Sequence, residues 1–180
     1  MSRAFFGVWA DLGHVVVGTD HDTGQFAVAS VRGWWRAEGR RLYPKAERLL
    51  ITADGGGSNG YRLRLWKREL SHLADELRLP ISVCHFPPGT SKWNKVEHRL
   101  FSFISTNWRG EPLRDYETIV RLIARTTTAT GLQVTCTLDR RRYALGKKIT
   151  DAEMKSLRIT KDAFHGEWNY TIAPASDVDL

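Results

Sequence analysis

Leu49-Leu50-Ile51-Thr52-Ala53-Asp54-Gly55-Gly56-Gly57-Ser58-Asn59-Gly60 is the stretch on which the reading of the fold turns. The apolar run up to Ala53 reads as a short buried strand, Asp54 follows it directly, and the glycines read as a turn. Downstream, Leu63, Trp66, Leu70, Leu73 and Leu77 recur at helical spacing, marking one face of a helix that stops before Pro80. Its other face, with Arg62, Arg64, Lys67, Arg68 and His72, reads as solvated surface. Residues 81–86 form a further strand, stopped by Pro87-Pro88-Gly89. This strand, helix, strand order points to an α/β protein with an acid at one strand end.

A second acid lies on the helix that follows. At about 100° per residue, a helix starting near Ser91 puts Phe103, Val96, Leu100, Trp93 and Ile104 on one arc, with Glu97 inside it. Lys92, Lys95, Arg99, Ser102 and His98 fall opposite, and Thr90 or Ser91 is available as the cap. A carboxylate on a core-facing arc needs a partner, a proton or a metal. Two readings stay open for the pair. Asp54 caps a turn while Glu97 pairs with a buried Arg or Lys, or both reach one sheet end, where gathered oxygen ligands suit Mg²⁺ or Mn²⁺.

Around this centre, residues 5–10 and 15–19 are β-prone and joined by Asp11-Leu12-Gly13-His14 as a hairpin. Asp22 with Gln25 forms a capping-box pattern for a helix carrying Phe26, Ser30, Val31 and Trp34 and running to Gly39. Residues 115–130 read as a helix, 133–138 as a strand and 151–157 as a short helix. Arg140, Arg141, Arg142, Lys147 and Lys148 make a basic stretch. Residues 164–172 look apolar enough to dock, and 173–180 are expected to fray.

A chain of 180 residues with 42% hydrophobic and 11% aromatic content supports a proper core, read as one compact unit with appendages. Lys and Arg number 27 against 20 acids, and the net charge of +7 favours a polyanionic partner. No run reaches membrane-spanning length, and Asp11 interrupts the N-terminal apolar stretch too early for a secretory signal, so the cytoplasm is expected. The two cysteines lack any disulfide or zinc spacing. Gly55-x-Gly57-x-x-Gly60 matches the dinucleotide fingerprint, but Asp54 would set a negative charge beside the pyrophosphate. Asp75 and Glu76 lie within a helix instead of ending a strand. A nucleotide-dependent oxidoreductase therefore ranks third, and the glycines read as a turn.

Thr52-Ala53-Asp54-Gly55, Pro87-Pro88-Gly89-Thr90-Ser91 and Asn94-Lys95-Val96-Glu97 resemble the second and third acidic motifs of DDE-type insertion-sequence transposases. Lys95 stands where related branches carry proline. Within that group, four segments resemble the Rhodopirellula transposase DDE domain family: residues 18–23, residues 53–60, Ser91 to Phe101 and Phe164 to Tyr170. The resemblance implies an α/β RNase H-like core, a mixed sheet flanked by helices, over residues 1–130. Residues 131–180 would be an extension docking on it. It further implies metal-dependent DNA cleavage and strand transfer, with Asp54 and Glu97 as catalytic acids holding Mg²⁺ or Mn²⁺.

The first acid of the family lies upstream of the matched region, so the core is expected to be incomplete at its N-terminus, with neighbouring sheet edges exposed. Asp20 falls downstream of that acid and is expected to serve a turn or helix entry. Lys92, Asn94, Lys95, Arg140, Arg141, Arg142, Lys147 and Lys148 are the candidate DNA contacts, while Trp93 is assigned to the core. The implied partners are transposon-end and target DNA, and a second copy or a full-length transposase, in the bacterial cytoplasm near the nucleoid and away from membranes. The alternative is an inactive truncated remnant that acts by binding DNA or by co-assembly.

Overall fold

In the computed structural model, which describes residues 2–7 and 11–176, the chain folds as two units that interleave along the sequence. One comprises Met1–Asp22 and Lys92–Tyr143, the other Thr23–Ser91 and Ala144–Leu180. Each unit is built on its own mixed sheet flanked by helices.

In the first unit, β1 (Ser2–Gly7) runs antiparallel to β2 (Leu12–Gly18), and β5 (Gln133–Asp139) joins β2 in parallel. Leu12, Gly13 and His14, expected in the hairpin turn, are paired strand residues instead, and the expected strand residues 8–10 lie outside the described residues. The central strand buries His14, Val15, Val16 and Val17 in succession, because both of its faces are covered. Over the sheet lie a π-helical turn (Glu97–Phe101) leading into α4 (Ser102–Asn107), and α5 (Tyr116–Ala124). Val15, Val17, Leu100, Ile104, Ile123, Leu132 and Val134 form the core between them. Gly13 admits the helix: a Cβ there would stand 2.7 Å from Leu100 Cδ1.

Asp115 caps α5 by accepting from Thr118 N–H at 2.6 Å. The helix ends earlier than its expected limit of residue 130 because the threonines beyond it bond locally. Thr126 Oγ1 donates to the Leu122 carbonyl and Thr128 Oγ1 accepts from Leu132 N–H, replacing helical bonds. At the end of β5, the buried Asp139 carboxylate accepts from the Arg141 backbone and guanidinium and from the Tyr143 hydroxyl. Burial alone would raise its pKa; the bonds from Arg141 and Tyr143 outweigh that and hold it at about 2. Asp20 Oδ2 accepts from Tyr143 N–H at 2.5 Å, a long-range bond to the segment after β5 where a local turn or helix-entry role was expected.

In the second unit, α1 (Gly24–Trp34) passes through a π-helical turn (Trp35–Gly39) into α2 (Arg40–Leu42). Thr23, not Asp22, is the cap, accepting from Phe26 N–H at 3.2 Å, whereas Asp22 is taken by the Arg3 guanidinium. The sheet has the order β3 (Leu49–Ala53), β4 (Ile81–His85), β7 (Asn169–Ile172), β6 (Ile159–Lys161). Only β3 and β4 are parallel, joined through α3 (Arg64–Leu77). Trp66, Leu70, Leu73 and Ala74 of α3 are buried, as are Phe26, Ala27, Val28 and Val31 of α1. The short α6 (Asp151–Ser156) carries a full capping box between Thr150 and Glu153.

Two expectations for this unit need correction. Residues 49–53 form an edge strand, not a buried one: β3 lies at the end of its sheet and Leu50 is 60% exposed. The stretch 164–172 docks only through its later part, since Tyr170 and Ile172 are buried but Phe164 is 72% exposed. The edge strand β6 was not anticipated, three residues being too few to show alternation. No helix among the described residues is long and apolar enough to cross a membrane.

Two stability measurements follow from the first unit. Leu100→Ala removes a fully buried side chain between sheet and helix and is expected to cost about 3 kcal/mol in urea denaturation; a loss within 0.5 kcal/mol of zero, which is about the spread for surface changes, would contradict this packing. Because its folded pKa is depressed, Asp139 contributes stability above its ordinary pKa of 3.8 that is lost as pH falls towards about 2. Unfolding free energies of the native chain and of Asp139→Asn are therefore expected to differ by about 2 kcal/mol near neutrality and to converge in acid.

Candidate active site

Asp54 is the first residue beyond β3. The β3–β4 register pairs Ala53 with His85, and Phe86 N–H then donates to the Ala53 carbonyl at 2.8 Å. Both parallel strands thus end at the same level, leaving a crevice at their carboxyl ends, the usual place for a ligand in an open α/β sheet. A cleft of about 580 Å³ opens there, lined by half-buried Asp54, the glycine loop, Tyr61, Arg62 and the Pro87-Pro88 turn. The Arg62 guanidinium carbon sits 5.1 Å over the Tyr61 ring, which places a cation at the cleft.

The glycine loop folds back on itself through a 3₁₀ turn (Gly57–Asn59), closed by Gly60 N–H donating to the Gly57 carbonyl at 3.1 Å. Gly57 adopts φ +70°. A Cβ at Gly60 would stand 3.0 Å from the Gly55 carbonyl oxygen and 3.2 Å from that of Gly57, both backbone atoms. At Gly56 nothing lies within 4 Å of such a Cβ.

Beneath Asp54 lies a buried polar chain that the sequence reading missed. His85 is 5% exposed; its Nδ1 lies 3.1 Å from the Asp54 carbonyl oxygen and its Nε2 3.4 Å from the Tyr170 hydroxyl. Trp66 Nε1–H donates to that hydroxyl at 3.1 Å. Burial pushes the His85 pKa below its usual range, against the opposing effect of its bond to Asp54. Burial raises the Tyr170 phenol, and lowers Lys67, whose ammonium lies 5.0 Å from the Tyr170 ring centre. The available signal was the alternation of Ile81, Val83 and His85, which points all three to one side of β4.

Glu97 corrects the helical-wheel expectation. It is exposed, and so are Trp93 at 58% and Phe103 at 42%, both assigned to the apolar arc. For Glu97 and Phe103 the π-helical turn is the cause: it advances by less than 100° per residue, so Val96, Leu100 and Ile104 line the core while their neighbours rotate outward; Trp93 instead lies in a separate 3₁₀ turn (Ser91–Trp93) before the helix. Glu97 bears no burial cost. Its N–H donates to the Asn94 carbonyl at 3.1 Å, and Asn94 Oδ1 accepts from Val96 N–H at 3.3 Å, which makes Asn94 the residue that starts the helix. Thr90, one of the two expected caps, instead donates its hydroxyl to the Pro87 carbonyl.

The remaining site candidates divide between the units. Lys92, Asn94, Lys95, Arg140, Arg141 and Arg142 belong with Glu97 to the first; Lys147 and Lys148 belong with Asp54 to the second. Lys92, Lys95, Arg142, Lys147 and Lys148 are exposed. Arg140 pairs with Glu117, and Arg141 with Asp139 at 2.6 Å. Among the described residues no group of three or more His, Cys, Asp and Glu side chains is placed to hold a metal ion.

The loop geometry generates a paired test. Gly60→Ala forces a Cβ against two backbone carbonyls and is expected to lower the melting temperature, at a cost of about 1–3 kcal/mol, whereas Gly56→Ala is expected to leave it within a degree or so. Equal melting temperatures for the two variants would contradict the closed turn.

A family model described as the Rhodopirellula transposase DDE domain matches residues 5–174. No curated protein and no solved structure matches the chain. The match takes in both sheets, the Asp54 cleft and the helix that begins at Glu97. Covering most of the sequence, it places the chain in the Rhodopirellula transposase DDE domain family.

Proposed function

We propose that the chain is the catalytic domain of an insertion-sequence DNA transposase with an RNase H-like core, in which Asp54 and Glu97 act as catalytic acids in phosphodiester cleavage and strand transfer. The observation that carries this reading is Asp54 at the carboxyl end of a parallel β-α-β unit, lining a cleft large enough for a phosphodiester segment.

Asp54 and Glu97 supply hard carboxylate oxygens, the donors that Mg²⁺ and Mn²⁺ take, commonly from one or two carboxylates with water and phosphate oxygens filling the other positions. When bound, such ions activate a water or hydroxyl nucleophile and stabilise the leaving oxygen. The chain's own contribution is to hold Asp54 on a closed loop, to present Glu97 to solvent at a helix start, and to set cations around both. Exposed Lys92, Lys95, Arg142, Lys147 and Lys148 are the stronger candidates for DNA phosphates. Arg140 and Arg141 would first have to leave Glu117 and Asp139. Asn94 contributes by starting the Glu97 helix. Transposon-end and target DNA are the substrates in this reading, and a second copy or a full-length transposase the protein partner.

Melting of the purified chain with Mn²⁺ or Mg²⁺ tests the reading. At a metal concentration tenfold above Kd, binding to the folded state stabilises it by about 1.4 kcal/mol. The melting temperature is expected to rise for the native chain and not for Asp54→Ala or Glu97→Ala. No rise, with DNA binding that weakens as salt is added and no cleavage, would select a non-catalytic DNA-binding role instead.

A further inference from the structure

The buried chain beneath the cleft has a direction. Trp66 Nε1 only donates, so the Tyr170 oxygen accepts from it at 3.1 Å and turns its own hydrogen towards His85 Nε2, 3.4 Å away. The Asp54 carbonyl only accepts, so the ring nitrogen facing it at 3.1 Å, His85 Nδ1, carries the imidazole hydrogen. Every group is satisfied in this one tautomer, and among the described residues no buried side-chain polar atom is left without a partner. The chain thus runs from α3 through β7 and β4 to the peptide that links Asp54 to Gly55.

We infer that His85 is a positioning residue for the candidate site: its Nδ1–H grips the carbonyl of Asp54 and so fixes the direction in which the Asp54 carboxylate leaves the sheet. The inference rests on the reading of Asp54 as a functional acid and deepens it. The need for such a grip is plain from the backbone. Asp54 lies past the last ladder bond, made by the Ala53 carbonyl, and is followed by three glycines. A bond to the Asp54 carbonyl holds the plane of the Asp54–Gly55 peptide at the point where glycine's freedom begins. Tyr170, itself held by Trp66, keeps the imidazole from turning about its own axis.

The test compares His85→Asn, whose side-chain amide nitrogen takes the place of Nδ1, with His85→Leu, which removes the donor, and with His85→Gln, whose amide reaches past that place towards Tyr170. Long-range proton–nitrogen spectra of the native chain are expected to show the Nδ1–H tautomer. Amide hydrogen exchange of residues 55–60, referenced to β4, is expected to quicken about tenfold in His85→Leu and in His85→Gln and to stay within about threefold of native in His85→Asn. Affinity for Mn²⁺ is expected to weaken about tenfold in Leu and Gln and to be held in Asn. If His85→Leu does not fold, the contrast between Asn and Gln decides. An Nε2–H tautomer, or loop exchange alike in all the variants and the native chain, overturns the inference. A native chain that binds no Mn²⁺, yet shows the expected exchange pattern, upholds the grip of His85 and removes the metal-site reading alone.

Discussion

The bond from Phe86 N–H to the Ala53 carbonyl is the last rung of the β3–β4 ladder, and the candidate site depends on it. It brings two parallel strands to a common end and makes the next residues on each, Asp54 and Pro87, the opposite lips of a cleft. A parallel pair needs a crossover, and α3 provides it, with Trp66, Leu70 and Leu73 buried. The same helix then supplies the Trp66 indole to the polar chain behind Asp54. Packing and site geometry therefore share residues: the side chain that buries the most surface in α3 also anchors the hydrogen bonds that reach the cleft.

The candidate acids live in unlike surroundings. Asp54 is half-buried and carried on a loop whose backbone closes on itself, whereas Glu97 stands in solvent at the start of a π-helical turn. Other acids are occupied structurally. Asp139 satisfies Arg141 and Tyr143, Asp20 holds the Tyr143 backbone, Asp22 pairs with Arg3, and Glu153 closes its own capping box. A carboxylate with two or three donors already in place has little capacity left for a substrate.

Much of the architecture was legible. The apolar run ending at Asp54, the Leu and Trp spacing of α3 and the run before Pro87-Pro88 each report local periodicity, and each element stands where that periodicity put it. What failed depended on facts the period does not carry. A wheel drawn at about 100° per residue put Glu97 and Trp93 in the core; a π-helical turn moved Glu97 to the surface, and Trp93 lies in a separate 3₁₀ turn before the helix. Asp22 and Thr23 are both good caps, and only the competing attraction of Arg3 separates them. Whether Leu49-Leu50-Ile51 is covered on both sides depends on sheet order, to which residues far along the chain contribute. The role of His85 was hidden because its partners, Trp66 and Tyr170, are distant in sequence.

The open edge of β3 has a consequence for how the chain behaves at high concentration. Its Leu50 is largely exposed, and the strand carries none of the lysines or prolines that blunt natural edges. Mutual repulsion at a net charge of +7 opposes the approach of two such edges. At physiological ionic strength that repulsion reaches only about 8 Å, and it shortens as salt is added. Added salt would thereby remove colloidal protection and favour edge-to-edge pairing at β3.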